Sequence, residues 1–144
     1  MIYLDASALV KKYVVEDGTE RVRTLLRGGR RFFTSKLTYA EVCASVARKY
    51  REGGIEKRFY QKAWGSFTKD WEALTLVEVR EELFPLIRQL TETHPLRGAD
   101  AIHLSSALWL GEAIGRPLTF VASDNRLLKS ARDEGLEVIN PEED

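Results

Sequence analysis

Short apolar runs alternate along the chain with longer stretches of helical periodicity. Residues 2–4 (Ile-Tyr-Leu), 31–34 (Arg-Phe-Phe-Thr), 74–77 (Leu-Thr-Leu-Val) and 118–122 (Leu-Thr-Phe-Val-Ala) are too short for helices and read as buried strands. Glu137-Val138-Ile139 adds a last edge strand. Between them, residues 6–13, 19–28, 37–52, 55–72, 80–93, 98–114 and 124–134 space their apolar side chains as helices do. Strands alternating with helices predict an α/β protein. The expected form is a three-layer α/β/α sandwich with a mostly parallel central sheet of four to five strands. Gly53-Gly54 separates two long helical segments, the second carrying Phe59, Tyr60, Trp64, Phe67 and Trp71. These predict a protruding helical hairpin and a candidate partner surface. On its first helix, Tyr39, Val42, Cys43, Val46 and Tyr50 mark the core stripe, so Cys43 reads as a small core residue.

With 144 residues, 44% of them hydrophobic, the chain has apolar material for one core, and one domain over residues 1–144 is expected. Lysine and arginine (22) balance aspartate and glutamate (22), so any nucleic-acid site must come from local charge placement and not from bulk charge. Nowhere do about 18 apolar residues run together, and Met1-Ile2-Tyr3-Leu4-Asp5 does not read as a basic leader before an apolar stretch. A soluble, cytoplasmic protein with no membrane partner is expected. Cys43 is the only cysteine, which excludes an internal disulfide and a cysteine-cluster zinc site.

In open parallel sheets ligands gather beyond the carboxyl ends of the strands. Asp5 and Asp124 each follow a strand directly and precede a helix, a position that suits an N-cap as well as a site residue. Asp100 opens a helix that is apolar nearly all round, as a buried element is. A carboxylate in that first turn gains from the helix dipole and is drawn toward the interior, where charges are normally paired or bound to metal. Glu41 lies beside the core stripe of its helix, at a border that is usually solvated, flanked by Ala40, Ala44 and Ala47, which leave room for another element. If the fold gathers these four acids, repulsion raises the pKa of at least one and favours a neutralising cation. Oxygen-only ligation suits Mg²⁺ or Mn²⁺, and metal-activated water is the chemistry of phosphodiester hydrolysis.

Four segments, each bearing one of these acids, carry a resemblance to a known family. They are Ile2-Tyr3-Leu4-Asp5-Ala6-Ser7-Ala8-Leu9-Val10-Lys11-Lys12-Tyr13, Thr38-Tyr39-Ala40-Glu41-Val42, Leu96-Arg97-Gly98-Ala99-Asp100-Ala101-Ile102-His103-Leu104 and Phe120-Val121-Ala122-Ser123-Asp124-Asn125-Arg126-Leu127. In this order, over nearly the whole chain, they resemble the PIN domains, and within them the VapC-like toxins of prokaryotic toxin–antitoxin pairs. The resemblance implies a metal-dependent endoribonuclease with Asp5, Glu41, Asp100 and Asp124 as catalytic metal-binding acids, and Ser7 and Ser123 as supporting hydroxyls. It also implies a homodimer and a cognate antitoxin that holds the enzyme inactive. The family hydroxyl that often stands two residues before the last acid is Ala122 here, and Ser123 is adjacent to the acid instead.

Among the other polar residues, His103 lies one helical turn after Asp100, where the two could share a hydrogen bond in a supporting role. His94 reads as a loop residue. Arg97, before the Asp100 helix, is placed to meet a phosphate, and Lys11 and Lys12 are candidates for RNA or antitoxin contact; a solvated face is the plain alternative for all three. No serine, cysteine and histidine arrangement supports covalent catalysis. Two other functions compete. A catalytically idle PIN-like module that binds RNA or protein would have no chemical need for all four acids. A receiver-like or phosphatase domain would want a second aspartate two residues after Asp5, where Ser7 stands.

Overall fold

The computed structural model describes residues 1–143. Five strands, β1 (Ile2–Leu4), β2 (Phe32–Ser35), β3 (Thr75–Val77), β4 (Thr119–Val121) and β5 (Glu137–Ile139), form one sheet in the order β3-β2-β1-β4-β5. Every adjacent pair is parallel, so the sheet is wholly and not just mostly parallel. The helices among the described residues are α1 (Ala6–Leu9), α2 (Thr19–Arg27), α3 (Leu37–Arg51), α4 (Lys57–Ala73), α5 (Phe84–Thr93), α6 (Gly98–Ile114) and α7 (Asn125–Asp133), with 3-10 turns at Val10–Lys12 and Glu81–Leu83. They cover both faces and complete the expected three-layer sandwich. None of them is long and apolar enough to cross a membrane.

β1 lies at the centre, and all three of its residues are fully buried, as parallel strands covered on both faces require. Its alternation divides the core. Ile2 and Leu4 pack with Leu9, Val42, Val46 and Phe67 beneath α1, α3 and α4. Tyr3 points the other way, onto Leu104, Ala107, Phe120 and Leu127 beneath α6 and α7.

The α3–α4 hairpin forms as expected, with a narrower core stripe. Thr38, Val42 and Val46, each four residues apart, are buried, whereas Tyr39 and Tyr50 are exposed and Cys43 is half-buried. The reason is the partner helix. Tyr39 packs on Phe67 and Trp71 of α4, and Tyr50 stacks on Tyr60 with ring centroids 4.4 Å apart, so this row faces the hairpin's own rim and not the sheet.

Beyond β5 the chain closes back over the start of α2. Gly18 precedes α2 with φ +85°, and a Cβ there would lie 2.7 Å from the Pro141 carbonyl oxygen. Both the left-handed backbone and the close approach demand glycine. Gly18→Ala is therefore expected to lose about 2 kcal/mol of stability, near the middle of the range for a strained backbone. Gly29→Ala, with positive φ but nothing within 4 Å of its Cβ, is expected to lose about 1 kcal/mol. Urea unfolding of both variants checks the difference.

Candidate active site

The carboxyl end of β1 is pinned by both neighbouring strands. Past Leu4, the Asp5 amide donates to the Val121 carbonyl at 3.1 Å and prolongs the β1–β4 ladder by one residue. The Asp5 side chain then caps α1, with Oδ1 accepting from the Ala8 amide at 2.9 Å. Ser7 Oγ lies 2.7 Å from Asp5 Oδ1 and 2.9 Å from Oδ2, and it accepts the Ser123 amide at 2.9 Å. One hydroxyl thus joins the exits of two adjacent strands. Asp5 is only 5% exposed. Burial pushes its carboxyl above the ordinary value; the His103 ring, the Ser7 hydroxyl and the Ala8 amide pull it back, and the Glu41 carboxylate adds to the rise.

Glu41 arrives from α3. Thr34 Oγ1 donates to the Leu4 carbonyl at 2.6 Å and shares a 2.7 Å hydrogen bond with Thr38 Oγ1, which fixes the start of α3 against the end of β1. Glu41 stands about one turn further along. Its Oε1 lies 2.6 Å from His103 Nε2, and His103 Nδ1 lies 3.0 Å from the Tyr3 hydroxyl. The expected pairing of His103 with Asp100 is not the one observed. Asp100 instead turns back to the start of α6, where Oδ2 accepts the Arg97 amide at 3.2 Å, as first-turn acids do. Asp124 caps α7, its Oδ1 accepting from Arg126 at 2.8 Å and Leu127 at 3.1 Å.

Two of the acids follow strands, and two come from helices. Asp5 and Asp124 leave adjacent strands, and Glu41 and Asp100 belong to helices joined through His103. They are not closed into a cage: among the described residues, no three His, Cys, Asp or Glu side chains converge closely enough to hold an ion. Hydrogen bonding engages a single oxygen on each of Glu41, Asp100 and Asp124, so capping and ligation do not compete for the same atom. Ser123 Oγ, beside them, is buried without a partner. Both nitrogens of His103 are engaged, which leaves no ring lone pair for a metal. This hard-oxygen donor set fits a cation that keeps several waters and takes one or two carboxylates, as Mg²⁺ does, and not one that needs a full protein cage.

A family model for the PIN domain matches residues 2–133. The chain belongs to the PIN-domain family. It is 34% identical over 139 residues to Ribonuclease VapC45 of Mycobacterium tuberculosis (strain CDC 1551 / Oshkosh), covering 96% of this chain and 94% of the relative. In fold it is similar to FitAcB from Neisseria gonorrhoeae, with TM-score 0.71, 18% identity and 98% of each chain covered. A toxin–antitoxin complex from Klebsiella pneumoniae matches with TM-score 0.65 and 15% identity, again over 98% of each chain.

The basic residues of this PIN domain are placed less uniformly than their sequence positions suggest. Lys11 is 3% exposed, and its Nζ lies 2.6 Å from Glu142 and 3.2 Å from Glu16. Lys12 is paired with Asp70, which also accepts from the Tyr13 hydroxyl at 2.9 Å. Both lysines, expected to face RNA or an antitoxin, are thus engaged within the fold. Arg97 is exposed at the start of α6, and Arg126, which sequence reasoning did not single out, is exposed at the start of α7; neither has a carboxylate partner among the described residues. His94 is not a plain loop residue, since its Nε2 lies 2.7 Å from Glu134 and ties α5 to the end of α7. Between α2 and α4 runs a cleft of about 810 Å³, floored by Ile55, Phe59 and Ala63 and edged by Arg23, Arg27 and Lys62.

The raised carboxyl of Asp5 gives the metal-free PIN domain a definite pH dependence. Between the ordinary carboxylate range and the higher folded value, the native state holds more protons than the unfolded state, so this group's contribution falls as pH rises through that window. Asp5→Asn removes the contribution. In chelator the variant is expected to gain in melting temperature relative to wild type as pH rises from about 4 to 8 and to keep that gain at neutral pH. Paired thermal melts across that interval measure the difference; a variant that loses ground as pH rises would contradict the sign.

Proposed function

We propose that this PIN domain is a divalent-metal-dependent endoribonuclease, the toxin component of a toxin–antitoxin pair, acting on RNA in the cytoplasm. The observation that carries the reading is Asp5: a carboxylate almost wholly removed from water at the exit of the central strand, with a second carboxylate close enough to disfavour its ionisation. Such an arrangement is unfavourable for a purely structural cap and gains from a cation. Similarity to a ribonuclease over nearly the full length of both chains supports the choice of reaction and substrate.

In this reading Glu41, Asp100 and Asp124 hold Mg²⁺ or Mn²⁺ through the oxygens their hydrogen bonds leave open, and Asp5, both of whose oxygens lie within reach of Ser7, joins them through a remaining lone pair. The bound cation supplies an activated water and offsets the charge that develops on the phosphate. Ser7 keeps the Asp5 carboxylate fixed against the β4 exit, and the Ser123 hydroxyl offers a hydrogen bond to a site water. Arg97 and Arg126 meet the phosphates on either side of the acids.

The antitoxin is assigned to the cleft between α2 and α4. Val15 and Phe59, 77% and 49% exposed, give it apolar anchors, and Arg23, Arg27 and Lys62 select a partner segment with acidic flanks. Val46, on the core stripe of α3, is buried and takes no part. The homodimer implied by the family resemblance is assigned to the exposed apolar residues Val79, Phe84 and Trp109, beside the β3 edge.

Purified protein is expected to cleave mixed cellular RNA only with Mg²⁺ or Mn²⁺, leaving 5′-phosphate and 3′-hydroxyl ends, because an activated water and not the ribose 2′-hydroxyl attacks. Asp5→Asn and Asp100→Asn should each lower the rate by about 100-fold or more. Cleavage in chelator, or 2′,3′-cyclic phosphate ends, would remove the mechanism, and RNA binding without cleavage in either metal would favour the idle-module reading. In a copurified antitoxin complex, the backbone around Val15 and Phe59 is expected to gain protection from hydrogen exchange; unchanged exchange there places the contact elsewhere.

A further inference from the structure

Beneath the acids, side chains from β1, α6 and α3 form one hydrogen-bonded string. It runs from the Tyr3 hydroxyl to His103 Nδ1 at 3.0 Å, and from His103 Nε2 to Glu41 Oε1 at 2.6 Å. Tyr3 is fully buried and His103 is 2% exposed, while the Glu41 side chain is 31% exposed. The string therefore begins in the dry core and ends at a partly exposed carboxylate.

Packing alone does not account for the first member. In the sheet register Tyr3 lies between Phe33 on β2 and Phe120 on β4, and its ring stacks on Phe120 with centroids 5.4 Å apart. A third phenylalanine would continue that row. The hydroxyl is an added polar group in an apolar layer, which is unfavourable unless it is hydrogen-bonded. His103 Nδ1 provides the partner.

The chemistry of the groups fixes the direction of one bond, and a neutral ring fixes the other. A carboxylate only accepts, so the proton between Glu41 and His103 belongs to Nε2. In the neutral ring Nδ1 is then the acceptor, and the phenol donates to it. One hydrogen bond thereby selects the tautomer that makes the other.

We propose that Tyr3 and His103 are positioning residues for Glu41: the phenol holds the imidazole in the tautomer that donates Nε2–H to Oε1, leaving Oε2 as the oxygen Glu41 presents to a cation. The effect on RNA cleavage rests on the nuclease reading. The tautomer and the cation affinity do not.

Two measurements on the full chain test this. In protein labelled with ¹⁵N-histidine and free of metal, only His94 and His103 contribute ring signals. His103 is expected to show a protonated Nε2 and a hydrogen-bonded, unprotonated Nδ1, with the Nδ1 resonance moving to its unbonded position in Tyr3→Phe. A protonated Nδ1 at neutral pH overturns the assignment. In titrations with manganese chloride alone, Tyr3→Phe and His103→Leu should bind Mn²⁺ about 10-fold or more weakly than wild type, the scale of losing a partner that orients a ligand. His103→Gln, whose amide can donate to Glu41 and accept from Tyr3, should recover most of the affinity. In cleavage the loss should fall on kcat with KM for RNA unchanged. A Tyr3→Phe protein that melts lower but binds Mn²⁺ as wild type does would make the string structural only, and a wild type that binds no Mn²⁺ would also overturn the proposal. Weakened Mn²⁺ binding in the variants of a protein that cleaves no RNA would leave the positioning role standing and remove the nuclease reading instead.

Discussion

A carboxylate held out of water at the end of the central strand sets the terms for everything around it. β1 is buried on both faces, and Asp5 continues it by one residue to the edge of the sheet where α1 begins. An unpaired charge there would be strongly unfavourable. The surroundings respond with two donors, a helix-start amide and a serine hydroxyl shared with the neighbouring strand exit, and with the electrostatic influence of an imidazole on α6. Together these do not fully compensate, since the carboxyl remains harder to ionise than an ordinary one. In the proposed function, that remaining imbalance is what a cation at this edge would relieve.

The layers and the parallel character of the sheet were accessible from the sequence because parallel strands are short uninterrupted apolar runs and the helices between them keep a clear period. Asp5 and Asp124 could be placed at the sheet edge for the same reason. What could not be read was which groups would meet across elements. His103 lies one turn from Asp100 on a single helix, so spacing pointed to that pair, but Asp100 faces its own helix start and the imidazole reaches Glu41. Tyr3 looked like one more apolar strand residue, because its hydroxyl acquires meaning only when α6 brings a nitrogen to it. Lys11 and Lys12 looked like a solvated basic pair. Their partners, Glu142 and Asp70, lie far away in sequence, and no periodicity announces such a contact. Tyr39 and Tyr50 fell on the helical stripe but are exposed, because the width of that stripe depends on how α4 leans on α3.

Capping and chemistry coexist here at the level of single atoms. Asp100 and Asp124 could each have been a structural acid or a site residue on sequence grounds, and the hydrogen bonds show the capping without excluding the other role. One oxygen satisfies the helix start, and the other carries no hydrogen bond among the described residues. The helix amides thus keep each carboxylate in one rotamer, and a group that must bind a cation at fixed geometry gains from that rigidity. The same logic extends to Glu41, whose anchor is a side chain and not the backbone.

The strand order also has a consequence for when this edge comes into being during synthesis. Ile2 pairs with Thr119, and the Ser7 hydroxyl that steadies Asp5 receives its amide from Ser123. A nascent chain that has exposed β1, β2 and β3 therefore carries Asp5 with half of its sheet missing and no second exit beside it. Long-range parallel pairing of this kind closes late, after the intervening helices are available. The acid edge cannot close before Ser123 has been synthesised, so a shorter nascent chain holds Asp5 without the neighbouring strand exit that steadies it.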